Sequence, residues 1–418
     1  MNASHAGKLQ SIIQHAYQHA PAVRQIMDEA GVRPDEINTV ADLARIPVTG
    51  KDALVEMQRR DPPYGGFLAA PPDRLTHIFL SPGPLYEPST GETAVMDTIR
   101  ETLTVAGFKA GDIVLNAFGY HLIPSGLALD RVLAESGATV IPAGVGNADL
   151  QVKMMLDLGV TGYVGAPSWL MALIRKADEL GLNFPEQFAL RKALVSAEPL
   201  PPSLRQTFVE QYGLTVTNAY GTAELGFLAY NTEGGLSMRL LESSIVEVVH
   251  PETGQPVPPG EVGEVVVTTF NETYPLIRLG TGDMAVNVDP APGHSRQGER
   301  SIVLVGRVGE AVKVRGMFVH PNQLRFAVGQ LPAIARAQAV VTRQADRDEL
   351  TLHVALADPA LGAIEREQVA AALGAAVQST CRVKIDRVEF VSHDALGADT
   401  KPLVDARTWT RGQSSESL

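Results

Sequence analysis

Between about Asp112 and Ser196 two apolar rhythms take turns along the chain. The runs "DIVLNAF", "ATVIPAG", "TGYVGAP" and "KALVSAE" are short, continuous and rich in Val and Ile. The stretches "GLALDRVLAESG", "DLQVKMMLDLG" and "SWLMALIRKADELG" instead repeat their apolar positions every three or four residues and end at Gly. The first pattern is that of strands buried on both faces and the second that of amphipathic helices. Their alternation predicts βαβ units, hence an α/β fold with a largely parallel sheet covered by helices. After about residue 236 the rhythm changes: "SSIVEVVHPETGQPVPPGEVGEVVVTTF" gives two strands joined by a Pro/Gly segment with no helix between them, an antiparallel β subdomain. Beyond "IVLVGRVGEAVKVRGMFVHPNQL" the pattern predicts a helix with Pro321 near its start, a hairpin over "RAQAVVTRQADRDELTLHVAL", a helix over "REQVAAALGAAVQS" and a strand in "RVKIDRVEFV". That is a small α+β domain of the split βαβ kind. The expected organisation is a large domain over 1–308 and a small mobile domain over 309–418, with a polar tail disordered from about residue 411.

Composition narrows the function. The chain has 418 residues, 45% of them hydrophobic, enough for a sizeable core. Its net charge of −12 disfavours nucleic acid and anionic membrane surfaces, which are held by clustered Lys and Arg. No apolar run reaches the roughly 18 residues a bilayer span needs, and "MNASHAGKLQSIIQHAYQHA" reads as an amphipathic helix rather than a signal peptide. A cytoplasmic protein is expected. Cys381 is the single cysteine, so an intrachain disulfide and a cysteine-cluster metal site are excluded, and the residue reads as a small buried hydrophobe.

Candidate chemistry is concentrated in "NAYGTAELGF", Asn218 to Phe227. Gly221 lets a strand turn sharply and bring its amides near a ligand; Thr222 is a donor for a phosphate oxygen, Glu224 a ligand for magnesium and Tyr220 a ring to stack on a base. On these residues alone a strand end with a half-buried Tyr and a solvated Glu is an equal reading. In "YPLIRLGTGDMA", Asp283 stands after a strand, where a carboxylate can accept from both hydroxyls of a ribose, and a turn-forming Asp is the alternative. "GRVGEAVKVRGMFVHP" supplies Arg307, Lys313 and Arg315 around glycines, for which an exposed basic ribbon is the plain reading. "GVGNAD" lacks the last glycine of a dinucleotide fingerprint and reads as a loop. His121 in "FGYHLIPSG" faces a pocket or is a structural histidine.

Taken together and in order, "SAEPL", "NAYGTAELG", "GEVGEVVVTTF", "YPLIRLGTGD" and "GRVGEAVKVRGMFVHPNQL" resemble the core motifs of the acyl-adenylate-forming enzymes, in their phenylacetate–coenzyme A ligase branch. The resemblance extends to "LNAFGYHLIPSGLALDRVLAESGATVIPAG", beside that branch's acyl pocket, and covers nearly the whole chain. It implies a two-step reaction: a carboxylate attacks the α-phosphate of ATP to give an acyl adenylate, and a thiol then displaces AMP. ATP/AMP, Mg2+ and coenzyme A are the implied cofactors. A small carboxylic acid and a thiol or other acyl acceptor are the implied partners, and a homodimer is compatible. Carried over by position, Glu224 matches the magnesium-binding glutamate, active only with nucleotide present, and Tyr220 and Gly221 match the adenine-side turn. Ala197, Glu198 and Pro199 match the residues lining the adenine, Asp283 the ribose aspartate and Arg307 the arginine beside it. Phe118, Tyr120 and His121 fall at the acyl pocket, and the hinge falls near Gly309 and Glu310.

The sequence also departs from the family. Where the family has a phosphate loop of Ser, Thr and Gly with one Lys, this chain has "LSPGPLYEPSTGE": Ser81, Gly83 and Pro88 are kept, but Pro84 and Leu85 replace threonines, Tyr86 a glycine and Glu87 the lysine. Prolines remove amide donors and Glu87 adds negative charge where phosphate lies. Ala223 replaces the usual Ser or Thr, leaving Thr222 to supply a hydroxyl. In "LGADTKPLVDART", Asp399 occupies the place of the family's catalytic lysine and Lys401 lies two residues on. The implied function is an aryl or arylacetyl acid–coenzyme A ligase. The alternatives are a relative with weakened ATP use that performs another acyl transfer or condensation, and a non-catalytic nucleotide- or acyl-binding protein.

Overall fold

A computed structural model of the chain describes residues 3–81, 85–91, 94–315, 317–344, 347–397 and 399–407. Gly83 and Pro84, and the tail expected to be disordered from about residue 411, lie outside the described residues. The chain forms two compact units: residues 1–260, 264–281 and 287–303, and residues 261–263, 282–286 and 304–418.

In the first unit the alternating rhythm becomes five parallel strands. Thr139–Pro142 lies beside Ile113–Asn116, then come Gly162–Gly165, Lys192–Val195 and Thr215–Thr222. The sheet continues antiparallel through Gly226–Asn231 and Ser237–Leu240. Side chains alternate across a strand, so neighbouring residues feed different cores. Val114, Val164, Leu194 and Ala219 pack under Ile99 and Leu103 of the helix Ala94–Val105 and Leu129 and Val132 of Ser125–Glu135. Leu115, Tyr163, Ala193, Val195 and Val216 pack against Val152 and Met155 of Ala148–Asp157 and Leu170, Leu173 and Ile174 of Pro167–Glu179. Each such Leu, Ile or Val contributes roughly 1.5–3 kcal/mol by leaving water, which is why the helical periods had to face the sheet. The segment "GVGNAD" is a loop only as far as Asn147, which caps the helix opened by Ala148 and Asp149 by accepting from the Leu150 amide.

The strands Ser244–Val249 and Val262–Thr269 pair antiparallel, with Glu247 opposite Val266. Within this part sits a buried ion pair. The Arg278 guanidinium, 1% exposed, donates Nε to Glu247 Oε2 at 3.1 Å and Nη2 to Oε1 at 3.2 Å, and also donates to the carbonyls of Ile46 and Gly254.

In the second unit the central hairpin Ile334–Gln344 and Arg347–Leu356 is flanked by two parallel edges, Leu403–Asp405 and Arg387–Phe390. The helices Pro321–Gly329 and Ala363–Cys381 cover it, giving the split βαβ arrangement expected from the rhythm. Cys381 is buried in this core, and burial pushes its thiol up to about 12.

Candidate active site

"NAYGTAELGF" folds as the tip of a hairpin. Thr215–Thr222 pairs antiparallel with Gly226–Asn231, with an irregularity between Tyr220 and Gly221, and Glu224 stands in the turn. A β-carbon on Gly221 would lie 2.2 Å from the Gly226 carbonyl oxygen, so only glycine allows this approach. Thr98 Oγ1, on the helix Ala94–Val105, accepts from the Phe227 amide at 3.0 Å and ties the tip to that helix. Tyr220 is buried, its hydroxyl 3.4 Å from Thr281 Oγ1.

Glu224 is 7% exposed and forms an ion pair with Lys51, the first residue of the helix Lys51–Arg60. The short strand Thr49–Gly50 pairs with Leu279–Gly280 and so fixes where that helix starts. Lys51 was not singled out from the sequence: it is 173 positions from Glu224, and no local pattern marks the partnership.

The altered phosphate segment is a two-stranded hairpin, His77–Ser81 with Leu85–Ser89. Glu87, opposite Phe79, is 8% exposed. Burial pushes its carboxyl up to about 7; the Ser81 hydroxyl beside it and Lys51 oppose this, and the Glu224 charge adds to it. The helix Lys51–Arg60 also grips the hairpin. Gln58 Nε2 donates to the Tyr86 carbonyl at 2.8 Å and to the Tyr274 hydroxyl at 2.9 Å, and Gln58 Oε1 accepts the Tyr86 amide at 2.9 Å. Ser81 Oγ, Glu87 Oε1, Thr222 Oγ1 and Glu224 Oε1 are buried oxygens without a well-formed hydrogen bond.

Two adjoining cavities, each of about 250 Å3, share Val95, Pro124, Ala128 and Ala223. One is apolar, lined by Ile99, Phe118, Leu129 and Phe227 and bounded by Ala197, Gly221 and Thr222. The other is bounded by Glu87, Glu224, His77, Phe79, Met96, Leu127 and Tyr274. Of the three residues expected at the acyl pocket, Phe118 lines the apolar cavity. Tyr120 and His121 line neither cavity. The Tyr120 hydroxyl is committed to a chain in which Asn116 Nδ2 donates to it at 2.8 Å and it donates to Asp130 at 2.8 Å, and His121 is exposed in the following loop.

Ala197 sits at φ 73°, a left-handed backbone for a residue with a β-carbon, directly after Ser196, whose hydroxyl donates to the Ala219 carbonyl. Glu198 is exposed and accepts the Ser168 amide at 2.6 Å; Pro199 is exposed.

In the second unit Asp283 Oδ1 lies 3.6 Å from Arg307 Nη1, next to Gly282 at φ 74°. Arg315 is committed to both Asp386 oxygens at 2.9 Å. His320 is fully buried, with Nε2 3.1 Å from Glu310 Oε2, and burial holds its pKa below the usual imidazole value. Asp399 and Lys401 are both exposed ahead of the strand Leu403–Asp405, and the Lys401 carbonyl accepts from Gln338. Among the described residues no group of three His, Cys, Asp or Glu side chains is placed to hold a metal, and no helix is long and apolar enough to cross a membrane.

The family model described as "AMP-binding enzyme" matches residues 93–271. A phenylacetate-coenzyme A ligase of Thermus thermophilus is 31% identical over 372 residues, covering 86% of this chain and 82% of that enzyme. The phenylacetate-coenzyme A ligase of Escherichia coli is 27% identical, covering 86% and 84%. Among solved structures, an open conformation of 2-hydroxyisobutyryl-CoA ligase in complex with 2-HIB-AMP and CoA superposes with a TM-score of 0.81 at 25% identity, covering 96% of this chain and 90% of that one. The motif order, the glutamate-bearing hairpin tip and these likenesses agree: the chain belongs to the phenylacetate–coenzyme A ligase family of AMP-binding, adenylate-forming enzymes.

Proposed function

We propose that the protein is a carboxylate-activating enzyme of the ATP-dependent acid–coenzyme A ligase type, which forms an acyl adenylate and then a thioester. The observation that carries this reading is the hairpin tip itself: Ala223 lines both cavities, and beside it the buried Glu224 carboxylate lines the one that also holds Glu87. An apolar space of about 250 Å3 lined by Phe118, Ile99 and Phe227 suits the body of a small aryl or arylacetyl acid. Its carboxylate is then directed towards the polar residues of the turn.

The residues fit the cofactors unequally. Asp283 beside Arg307 offers a carboxylate for ribose hydroxyls. Glu224 and the unpartnered Thr222 hydroxyl are hard oxygen donors of the kind magnesium takes, and Lys51 has to yield for a cation to bind Glu224. A bound magnesium nucleotide would supply the electrophilic phosphorus and neutralise the charge that develops there. Toward the β- and γ-phosphates the chain offers less. The Tyr86 amide is taken by Gln58, and Glu87 brings an acid rather than a cation. This favours, as a second reading, a relative with weakened ATP use that moves an acyl group from an already activated donor.

Pyrophosphate exchange over a panel of aromatic and aliphatic acids, with and without coenzyme A, separates the two. Acid-dependent exchange supports the ligase. No exchange with any acid, together with acyl transfer from a preformed thioester, supports the second reading.

A further inference from the structure

The cavity lined by Glu87 and Glu224 carries one acid too many. Glu87 and Glu224 are both buried at its wall, and Lys51 supplies a single ammonium, already paired with Glu224. The other charged residues lining it are occupied elsewhere: Asp130 accepts from Tyr120 at 2.8 Å, and Arg131 donates to Glu135 at 2.9 Å and to the Gly91 carbonyl. That leaves Glu87, more than nine-tenths buried and lining the cavity, with only the neutral Ser81 hydroxyl beside its carboxyl and no well-formed hydrogen bond to Oε1. A buried acceptor in that state is costly unless a donor or a cation reaches it.

Three features choose between a metal ion and an organic cation. With Glu87 ionised and Lys51 in place, as in the protein without nucleotide, one further monovalent charge would neutralise Glu87, Glu224 and Lys51, whereas a divalent ion would over-neutralise them unless Lys51 withdrew. Asp130 and His77 also line the cavity, but among the described residues no three His, Cys, Asp or Glu side chains are grouped closely enough to hold a metal, and Asp130 is taken by Tyr120. His77, Ser89 and Asn271 are polar, but most of the remaining lining, Phe79, Val95, Met96, Pro124, Leu127 and Tyr274 among it, is apolar or aromatic and suits a carbon body rather than a hydrated ion.

We infer that this cavity is a subsite for a small organic ammonium, bound through its N–H donors to Glu87 with its carbon body against the apolar wall. The inference rests on the reading of the two cavities as the small-molecule site. It makes the molecule handled here an amine as well as a carboxylic acid, or a pair in which the acyl acceptor is the amine.

Calorimetry on the full chain without nucleotide, at pH 7.5, tests it with four probes: 2-phenylethylamine, its trimethylammonium analogue, phenylacetate and 4-(aminomethyl)phenylacetate. The primary amine should bind about tenfold or more tighter than the trimethylammonium analogue, which has the charge but no N–H. Glu87→Gln should erase that difference. Tighter binding of 4-(aminomethyl)phenylacetate than of either single-headed probe places the amine on the acid. Simultaneous binding of 2-phenylethylamine and phenylacetate places it on the acceptor. Equal binding of the primary and trimethylated amines by the natural chain overturns the inference without recourse to any variant, as does a preference that survives Glu87→Gln. Manganese alone binding in a Glu87-dependent way, with no amine bound, would make this a metal site instead. Loss of the ligase reading would show as absent pyrophosphate exchange and leave these binding results standing.

Discussion

Replacing Arg278 by Met keeps much of the side-chain volume but removes the one cation that, among the described residues, is hydrogen-bonded to Glu247, which is 4% exposed. Removing one partner of a buried pair leaves an uncompensated charge and costs about 3–5 kcal/mol. The same substitution strips the donors from the Ile46 and Gly254 carbonyls, at about 1–3 kcal/mol for each that stays dry. A loss of at least about 3 kcal/mol is therefore expected near neutral pH, a large share of the stability of an ordinary domain. The pH dependence has a definite sign. Burial already pushes the Glu247 carboxyl above its ordinary value, with Arg278 opposing, so without Arg278 it rises further. A carboxyl raised on folding favours the folded state below its unfolded value, near 4.5, and loses that advantage as pH climbs through the folded value. The deficit of Arg278→Met should accordingly shrink towards pH 5. Adding Glu247→Leu removes the stranded charge and should regain about 2 kcal/mol or more, leaving the two carbonyls as the residual cost. Urea titrations followed by tryptophan fluorescence report on this, since Trp169 lies in the same unit. A loss below about 1 kcal/mol for Arg278→Met, or a double variant no more stable than the single one, would refute the reasoning.

Three further outcomes are expected. Asp283→Ala should weaken AMP binding by about 1.5–3 kcal/mol, the range of a charge-assisted hydrogen bond; unchanged affinity by calorimetry rules out a ribose contact. In chelator-treated protein, Glu87→Gln should be more stable than the natural chain at pH 8 by about 3 kcal/mol and level with it near pH 4.5. The Glu87 carboxyl rises from 4.5 to about 7 on folding and disfavours the folded state once ionised; parallel melting curves across that window would remove the buried acid from the account. Gly221→Ala places a β-carbon 2.2 Å from the Gly226 carbonyl and should abolish pyrophosphate exchange while leaving most of the fold intact; near-natural exchange would show that the hairpin tip tolerates displacement.

What the sequence disclosed and what it hid divide along one physical line. Strand and helix rhythms are local, so the parallel sheet, the Ser244–Thr269 hairpin and the split βαβ unit were legible, as were the hairpin-tip residues, whose chemistry lies within a few positions of one another. Pairings across long loops leave no such trace. Lys51 with Glu224, Gln58 with Tyr86 and Arg278 with Glu247 join segments that periodicity treats as unrelated. The misplaced pocket residues have a similar cause. Tyr120 and His121 follow Phe118 closely, but the Asn116–Tyr120–Asp130 chain turns the tyrosine hydroxyl into a strut and leaves His121 outside. The phosphate segment read as an impaired loop, and its prolines gave no hint that it would pair as a regular ladder from His77↔Ser89 to Ser81↔Leu85.

That ladder bears on how the chain can change by descent. In a glycine-rich wrap each residue can be exchanged on its own merit. Here Tyr86 is clasped at both its amide and its carbonyl by Gln58, Glu87 lies within the field of the Lys51–Glu224 pair, and the strands hold one another in register. A lone Glu87→Lys step would set two ammonium groups side by side, and a lone Tyr86→Gly step would loosen a hairpin without supplying a cation. Conversion to a glycine- and threonine-rich loop one residue at a time therefore runs through intermediates worse than either end. The segment is exchanged as a block or not at all.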